Sequence, residues 1–360
     1  MRILTPVIAL VAGLGAVPAA SADQSPLPEA GHFELLAAGD FTMHEGLFDQ
    51  AAEDVGPACL DGVRELLAGA RLKFLNLETP VTARPFALAK QFLHRMPAHR
   101  LQWLLDGGFN LLSLANNHMA DAGEGGIADT VESLTSVGSK RPVAFAGAGP
   151  NLHGTDVDVD GTKVRFLAVA CNGGSKNVAQ PGPWVLADIA RAREDGKTVI
   201  VSAHCGQEFH HTPDAGTVAM YRNWIDAGAD VVLGHHPHVV QGVELRGPGV
   251  IFYSLGNFVF SSLTKRHLKI GARFYGMLGL VSFVHGRVSG VRVVPLWVSG
   301  MEKLSSADGD LRPRHLRPQV LHGAFARETL ERFSDFSAQI PGNSTRFEVQ
   351  GDMGVAVNAH

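Results

Sequence analysis

Gly234-His235-His236-Pro237-His238 packs three histidines into five residues. The turn follows Asp230-Val231-Val232-Leu233, a short apolar run that reads as a buried strand. In α/β folds the space just past a strand's carboxyl end is where ligands and catalysis are housed. His236 and His238 have the same parity, and Pro237 restricts the backbone between them. Two imidazoles could therefore face one point, as metal ligation needs. Taken alone, the stretch is equally compatible with a histidine-rich surface turn.

Other apolar runs end in the same way. Phe33 to Ala38 leads to Asp40, Leu72 to Leu77 to Glu78, Phe109 to Ala115 to Asn116-Asn117-His118, and Thr198 to Ala203 to His204. One such residue is ordinarily a cap or turn residue. A succession of strands ending so is hard to reconcile with accident, because strand ends along one sheet edge converge in space. The set contains two carboxylates, an amide and several imidazoles, and no thiolate, which excludes a cysteine-type structural zinc site. Nitrogen and oxygen donors with open positions suit Mn, Fe, Zn or Mg in hydrolytic work. A metal pair would polarise an ester oxygen and lower the pKa of a bound water. Glu78 could bridge two ions, and a nearby histidine could protonate the leaving group.

Each residue also has a plainer reading. Asp40 could cap a turn, and His118 could be a core histidine, although the Asn-Asn-His run favours catalysis. Asn116 is expected to bond its own loop, and Ser254 and Asn257 to shape the loop under the site. Strand alternation turns Cys205 away from His204 as a buried thiol, and by the same rule turns His235 away from the metals. His210 and His211 read as surface loop residues near Glu208. Arg312, Arg314 and Arg317 read as a solvated tail or as a site for an anionic polymer or lipid headgroups.

The elements that must position these residues alternate strand and helix. Helices are predicted over Pro57–Ala70, Pro97–Asp106, Gly123–Val137, Trp184–Glu194 and Thr217–Ala227. Further strands are predicted at Val143–Ala146, at Val157–Val159 and Val164–Ala170 around an Asp-Gly turn, and at Val243–Leu245 and Val250–Tyr253. A terminal hairpin joins Gly276–Val284 to Val288–Val298. The mixture implies an α/β core with some antiparallel pairing. After Lys303 the pattern weakens. Residues 304–360 are expected to be a weakly structured tail with one short helix, Ala324–Phe333.

Composition narrows the class. Of 360 residues, 45% are apolar and 18% charged, which suits a globular protein with a sizeable core. The net charge of −4 is spread without long runs, which argues against nucleic acid as a partner. Residues 1–22 read as an export signal: Arg2, an apolar stretch from Ile3 to Val17, then Ala20-Ser21-Ala22 as a cleavage site, with a polar linker over 23–31. The alternative is an uncleaved anchor. The three cysteines, Cys59, Cys171 and Cys205, leave at least one thiol free, and Cys59 and Cys171 are expected to be buried. No later segment is long and apolar enough to span a membrane.

The strand-end blocks together resemble the CapA family, which is known for bacterial poly-γ-glutamate capsule synthesis and is similar in fold to the calcineurin-like metallophosphatases. The matching blocks are Ala38-Gly39-Asp40, Asn76-Leu77-Glu78, Leu114 to His118, His204-Cys205-Gly206-Gln207-Glu208, Gly234 to Gln241, and Ser254 to Phe258, in family order from about Leu35 to Phe260. The resemblance implies a metallophosphatase-like α/β/β/α sandwich over 32–303, with mixed sheets and a C-terminal antiparallel hairpin. It assigns Asp40 and His238 to a first metal, Glu78 to the bridging place, and Asn117, His204 and His236 to a second metal. His118 becomes the proton donor, while Glu208, which has no metallophosphatase counterpart, is left to support the ligands or touch substrate. One departure stands out. Metallophosphatases usually carry a histidine two residues after the first aspartate, where this chain has Thr42. A ligand of the first metal is therefore missing or replaced by water, which leaves both one ion and two ions open.

The resulting expectation is an exported protein, periplasmic or extracellular, that associates peripherally with membrane biosynthetic machinery and acts as a metal-dependent hydrolase on a phosphoester or an amide of a polyanionic polymer. The rival expectation is a non-catalytic metal-binding factor that guides such a polymer. A serine or cysteine hydrolase fits poorly, since there is no G-x-S-x-G elbow and Cys205 lacks a base on its own face.

Overall fold

The structure is a computed structural model that describes residues 31–43, 53, 55–138, 141–260, 275–298, 300–302, 312–315 and 317–358. The expected export signal and all of the linker except Gly31 lie outside the described residues. In chain order the elements are β1 (His32–Thr42), a 3-10 segment (Gly56–Val63) running into α1 (Arg64–Gly69), β2 (Leu72–Leu77), α2 (Ala98–Asp106), β3 (Leu111–Ser113), α3 (Gly123–Gly138), β4 (Ala144–Ala146), β5 (Gly154–Val159) and β6 (Thr162–Ala170). There follow α4 (Pro183–Glu194), β7 (Thr198–His204), α5 (Ala215–Asp226), β8 (Val231–His235), β9 (Val243–Arg246), β10 (Gly249–Phe252), β11 (Asn257–Phe260), β12 (Tyr275–Val284) and β13 (Arg287–Trp297). The chain closes with β14 (Gly300–Glu302), β15 (Arg312–His315), β16 (Gln319–Val320), α6 (Gly323–Ala338), β17 (Thr345–Gln350) and β18 (Met353–Asn358).

These form the mixed α/β/β/α sandwich. The first sheet runs β17-β18-β13-β12-β1-β2-β3-β4, with β11 also beside β1 and β16 beside β13; the second runs β5-β6-β7-β8-β10-β9. Strands β1 to β4 pair in parallel, as do β6, β7, β8 and β10, while β12 and β13 form the expected antiparallel hairpin. The period of two along each strand decides what it faces. In the second sheet Phe166, Ala168, Ala170, Ile200, Val231, Leu233, Val250 and Phe252 join the core shared with the first sheet. The alternate residues Leu167, Val169, Val199, Val201, Val232 and Ile251 pack under α4 and α5. Those helices answer with Val185, Ile189 and Ala192, and with Val218, Tyr221, Trp224 and Ile225, each set on one face at helical spacing. The predicted helix over Pro57–Ala70 divides into a 3-10 segment and a short α-helix.

Two expectations about this frame are corrected. The tail is ordered over 317–358. Leu330 and Phe333 of α6 are buried in the main core, and β18 extends the first sheet through β13. Over the edge strand β9, Ser337 and Thr345 accept from the amides of Val243 and Leu245, and Asn343 donates to the Val243 carbonyl. This segment thus satisfies an edge that would otherwise present free backbone groups. Its polar composition reflects a half-exposed amphipathic helix and a surface hairpin, which is why it reads as a tail. The second correction concerns cysteine. Cys171 and Cys205 form a disulfide, Cys171 is exposed, and Cys59 alone is a free buried thiol. Ala170 is in register with His204, so the residues that follow lie side by side on adjacent parallel strands.

The disulfide closes a sequence separation of 34 residues. A loop of that size predicts a loss of roughly 3–4 kcal/mol when both cysteines become serine. Denaturant melts of the double variant check this, and an unchanged midpoint would refute a stabilising bridge. Leu330→Ala in α6 should cost about 2–5 kcal/mol, as for a core leucine. A change within ~0.5 kcal/mol would show that the C-terminal segment is not part of the cooperative unit.

Candidate metal centre

The carboxyl ends of the two sheets meet at one cleft. Strand β1 reaches it through irregularities in register: its pairing with β2 slips between Ala37 and Asp40, and its pairing with β11 slips between Asp40 and Phe41. Such bulges re-aim side chains beside sites. Here they coincide with Asp40, whose amide donates to the Gly256 carbonyl at 2.9 Å. Gly39 permits that approach, since a Cβ there would stand 2.0 Å from the Gly256 oxygen. Gly234 in β8 is constrained in the same way, with the Tyr253 carbonyl oxygen 2.0 Å from the site of a Cβ. Both glycines are needed for the strands carrying Asp40 and His235 to close on their neighbours.

At the floor of the cleft, one ligand-type atom each from Asp40, Glu78 and His204 lies within 4.8 Å of the others, and all three residues are buried. Asp40 is fully supported. Its Oδ1 accepts from Asn76 at 2.8 Å and from His235 Nδ1 at 2.9 Å, and its Oδ2 accepts from the His236 amide at 3.3 Å. Burial would raise its pKa, but the hydrogen bond and charge of His235, with His238 and Asn76, outweigh it and hold the carboxyl below its usual range. Glu78 is the opposite case. Both its carboxylate oxygens are buried without a hydrogen-bond partner. His204 Nε2 stands 3.5 Å and His238 Nε2 3.7 Å from Oε1. Burial, then the charges of Asp40 and Glu208, push its pKa well above the ordinary value. His204 is driven well below its ordinary value, by burial and then by the neighbouring imidazoles, so the ring is neutral, as a ligand must be.

The histidine turn reaches over this floor. His236 and His238 both adopt positive φ, 94° and 56°, a backbone cost that clusters at functional sites. His236 Nδ1 lies 3.1 Å from His204 Nε2, and burial with His238 lowers its pKa to about 4. His238 Nδ1 is 2.9 Å from Asn257 Oδ1. An amide oxygen only accepts, so Nδ1 carries the proton and Nε2 faces Glu78 Oε1. Asn257 thus orients His238 as well as shaping the loop. Ligand-type atoms of Glu208, His236 and His238 form a second group within 4.8 Å of one another.

Asn117 Oδ1 is 2.8 Å from His204 Nε2, on the side of the cleft given by β3. Asn116 donates to the Leu77 carbonyl and accepts from the His118 amide, the structural role expected of it. His118 Nδ1 is 2.7 Å from Asp121 Oδ2, and Lys90 Nζ lies 2.5 Å from Asp121 Oδ1 and donates to the Asn117 carbonyl at 2.8 Å. His94 stacks on His118 at 3.7 Å between ring centroids. Asp121, Lys90 and His94 are not among the residues that the strand ends mark. Asp121 was findable, as an acid three residues after His118. Lys90 and His94 come from the long connection between β2 and α2, where no periodicity marks them.

His235 is also corrected. Rather than facing away, it is fully buried and bonded to Asp40. It shares parity with Val231 and Leu233, which point into the space between the sheets, and the cleft opens there. Alternation gives the parity of β8 but not which of its faces meets the cleft, and the cleft lies on the His235 face. Cys205 does point away from His204, into the disulfide. Thr42 is buried with its hydroxyl unpartnered, and so offers no imidazole at the departing position.

A divalent cation fits these residues. Two carboxyl groups and neutral imidazoles converge in a buried cleft, and the Glu78 oxygens, left without a hydrogen-bond partner, are donors that a cation would satisfy while displacing the proton. His210 and His211 lie aside. His211 bonds the Val240 carbonyl and stacks on Phe336. Among the described residues, no helix is long and apolar enough to cross a membrane.

Comparison with known proteins gives matches over the same region. The bacterial capsule synthesis protein family PGA_cap matches residues 34–262. The capsule biosynthesis protein CapA of Bacillus anthracis is 34% identical over 192 residues, 46% of this chain and 45% of that protein. The PGA biosynthesis protein CapA of Bacillus subtilis (strain 168) is 34% identical over 219 residues, 54% of this chain and 57% of that protein. A probable polyglutamine synthesis accessory protein of Mycobacterium tuberculosis is 29% identical over 210 residues, 51% of this chain and 54% of that protein. The matches span about half the length of these curated relatives. Among solved structures, a phosphatase of Mycoplasma pneumoniae aligns with TM-score 0.47 and 13% identity, covering 74% of this chain and 94% of that one. A hypothetical protein of Thermus thermophilus aligns with TM-score 0.42 and 20% identity, covering 73% and 98%.

The His118 partner supplies a pH test. Burial, offset only in part by Lys90, raises the Asp121 carboxyl to about 6. A folded value above the unfolded one means that its stabilising contribution is complete below about pH 4 and is lost as pH rises through about 6. Relative to Asp121→Asn, the wild-type chain should therefore lose stability across that window, by about 3 kcal/mol at most. Parallel pH-dependent denaturant titrations read this. A constant difference between the two proteins would show that Asp121 is ionised throughout.

Proposed function

The chain belongs to the bacterial capsule synthesis protein family PGA_cap, and from that premise we propose that it is an exported, divalent-metal-dependent hydrolase of capsule or poly-γ-glutamate type polymer biosynthesis. Its substrate is a phosphoester or an amide of a polyanionic polymer, met at the membrane face where such polymers are assembled. The observation that carries the reading is Glu78: a buried carboxylate without a hydrogen-bond partner, ringed by Asp40, His204 and His238. Asp40, Glu78, Asn117, His204, His236 and His238 would hold one or two ions of the Mn, Fe, Zn or Mg type. The ions would supply Lewis acidity and a nucleophilic water.

The chain's own residues do the rest. His235 and Asn76 fix the Asp40 carboxylate, and Asn257 fixes the His238 ring. Asp121 accepts the Nδ1 proton of His118 and so orients the ring, which would pass a proton to a leaving group. Lys90 balances the charge of Asp121. The Cys171–Cys205 bridge supports the export reading, since structural disulfides persist in oxidising compartments. A second reading, a non-catalytic metal-binding factor that guides the polymer, is favoured by Thr42 in place of a ligand.

The test is elemental analysis of the purified protein, followed by turnover of aryl phosphodiesters and γ-glutamyl amides with and without added divalent metal. Stoichiometric metal and metal-dependent turnover are expected. Glu78→Gln should lose both, and His118→Ala should keep the metal while kcat falls about 10²–10⁴-fold. If metal binds and polymer output depends on Glu78 but is indifferent to His118, the guiding role replaces the hydrolase. Absence of bound metal together with metal-independent behaviour would sink both.

A further inference from the structure

Glu208 is unexplained by its own surroundings. It lies in the turn after β7 and is exposed, and among the described residues it makes no hydrogen bond or ion pair. An exposed glutamate is ordinarily free to turn to water. This one sits on a turn that is fastened on both sides to the histidine turn. The Cys205 amide donates to the His235 carbonyl at 3.0 Å, and the Phe209 amide donates to the Pro237 carbonyl at 2.8 Å. Gln241 donates to the His210 carbonyl at 2.7 Å, and the disulfide to Cys171 ties the start of the turn to β6. Gly206 and Phe209 take positive φ, 108° and 67°, to make the turn this tight. These contacts fix the backbone, and the carboxylate falls within 4.8 Å of ring nitrogens of both His236 and His238. The unpartnered Glu78 oxygen approaches the same place from below, 3.7 Å from His238 Nε2.

We propose that Glu208 is the metal ligand that compensates for Thr42: with His236 and His238 it binds an outer divalent ion, while Asp40, Glu78 and His204 hold an inner one. The inference rests on the reading that the cleft holds divalent metal. Replacing an imidazole by a carboxylate has two consequences. The donor set gains an oxygen ligand and becomes a two-histidine, one-carboxylate set of the kind that binds zinc, iron or manganese. Three carboxylates against two dications also leave a net positive centre, suited to an anionic substrate. Being at the mouth of the cleft, Glu208 places the outer ion where a polymer would arrive.

The experiment is calorimetric titration of Mn²⁺ into the metal-free full chain and into Glu208→Gln, with electron paramagnetic resonance of the loaded proteins. Glu208 is exposed, so the variant should fold, and circular dichroism checks that it does. The wild-type chain should take up two Mn²⁺ and show the spectrum of a coupled pair. Glu208→Gln should keep one ion at unchanged affinity, bind the other at least tenfold more weakly, and lose the coupled spectrum. Two ions bound equally well by both proteins would overturn the proposal. So would a single ion bound equally well by both, although the metal-centre reading would then survive. A wild-type chain that binds no Mn²⁺, or any other divalent ion tried, would end that reading and this inference together.

Discussion

A buried carboxyl group is costly whether it is ionised without compensation or left without hydrogen bonds, and Glu78 sits at the junction of the two sheets with neither oxygen hydrogen-bonded. Much of the surrounding architecture makes sense as an answer to that unsatisfied group. Parallel pairing of β1, β2 and β3 brings Asp40, Glu78 and Asn117 to one edge of the first sheet, while β7 and β8 bring His204 and the histidine turn to the facing edge of the second. Neither sheet alone could surround Glu78. The interlayer core, filled by Phe166, Leu233, Phe252 and their partners, fixes the spacing across which these groups meet.

The supporting bonds show where precision is placed. Asp40 receives Asn76, His235 and a backbone amide, and His238 is set by Asn257. Glu78 receives none of this. A site in which the peripheral ligands are braced and the central one is left without a hydrogen-bond partner is one that a cation would complete. The strained backbone at His236 and His238 and the close contacts at Gly39 and Gly234 are costs of the same arrangement, offset by the large shared core.

Much of this was legible in the sequence because strand ends are legible. A short apolar run announces roughly where a strand stops, and Asp40, Glu78, Asn117, His204, His236 and His238 all stand within a few residues of such a stop. What lies off the strands was hidden. Lys90 and His94 reach His118 from a connection with no periodic signal, and Asp121 lies in the turn before α3. Parity was legible but not its sense. Whether His235 faces the cleft or the helices depends on which side of β8 the other sheet lies, a tertiary fact. The pairing of Cys171 with Cys205 follows from the register of β6 on β7, which no single strand contains. The C-terminal segment failed for another reason: it covers an edge with side-chain oxygens and amides, so its contribution is polar and resembles a tail.

Thr42 sharpens the chemistry instead of emptying the site. Its hydroxyl is buried and unpartnered, too short to reach where an imidazole would, and β11 closes over that side by pairing Thr42 with Phe260. Access from β1 is thereby lost. The open side of the cleft is the opposite one, where the turn after β7 is fastened to the histidine turn. A ligand deleted from one strand end can be supplied only from an element already held against the remaining ligands, since a free loop would spend its binding energy on ordering itself. The disulfide and the backbone bonds of that turn meet this requirement before any ion arrives, and they make the second sheet, rather than the first, the side from which the centre is completed.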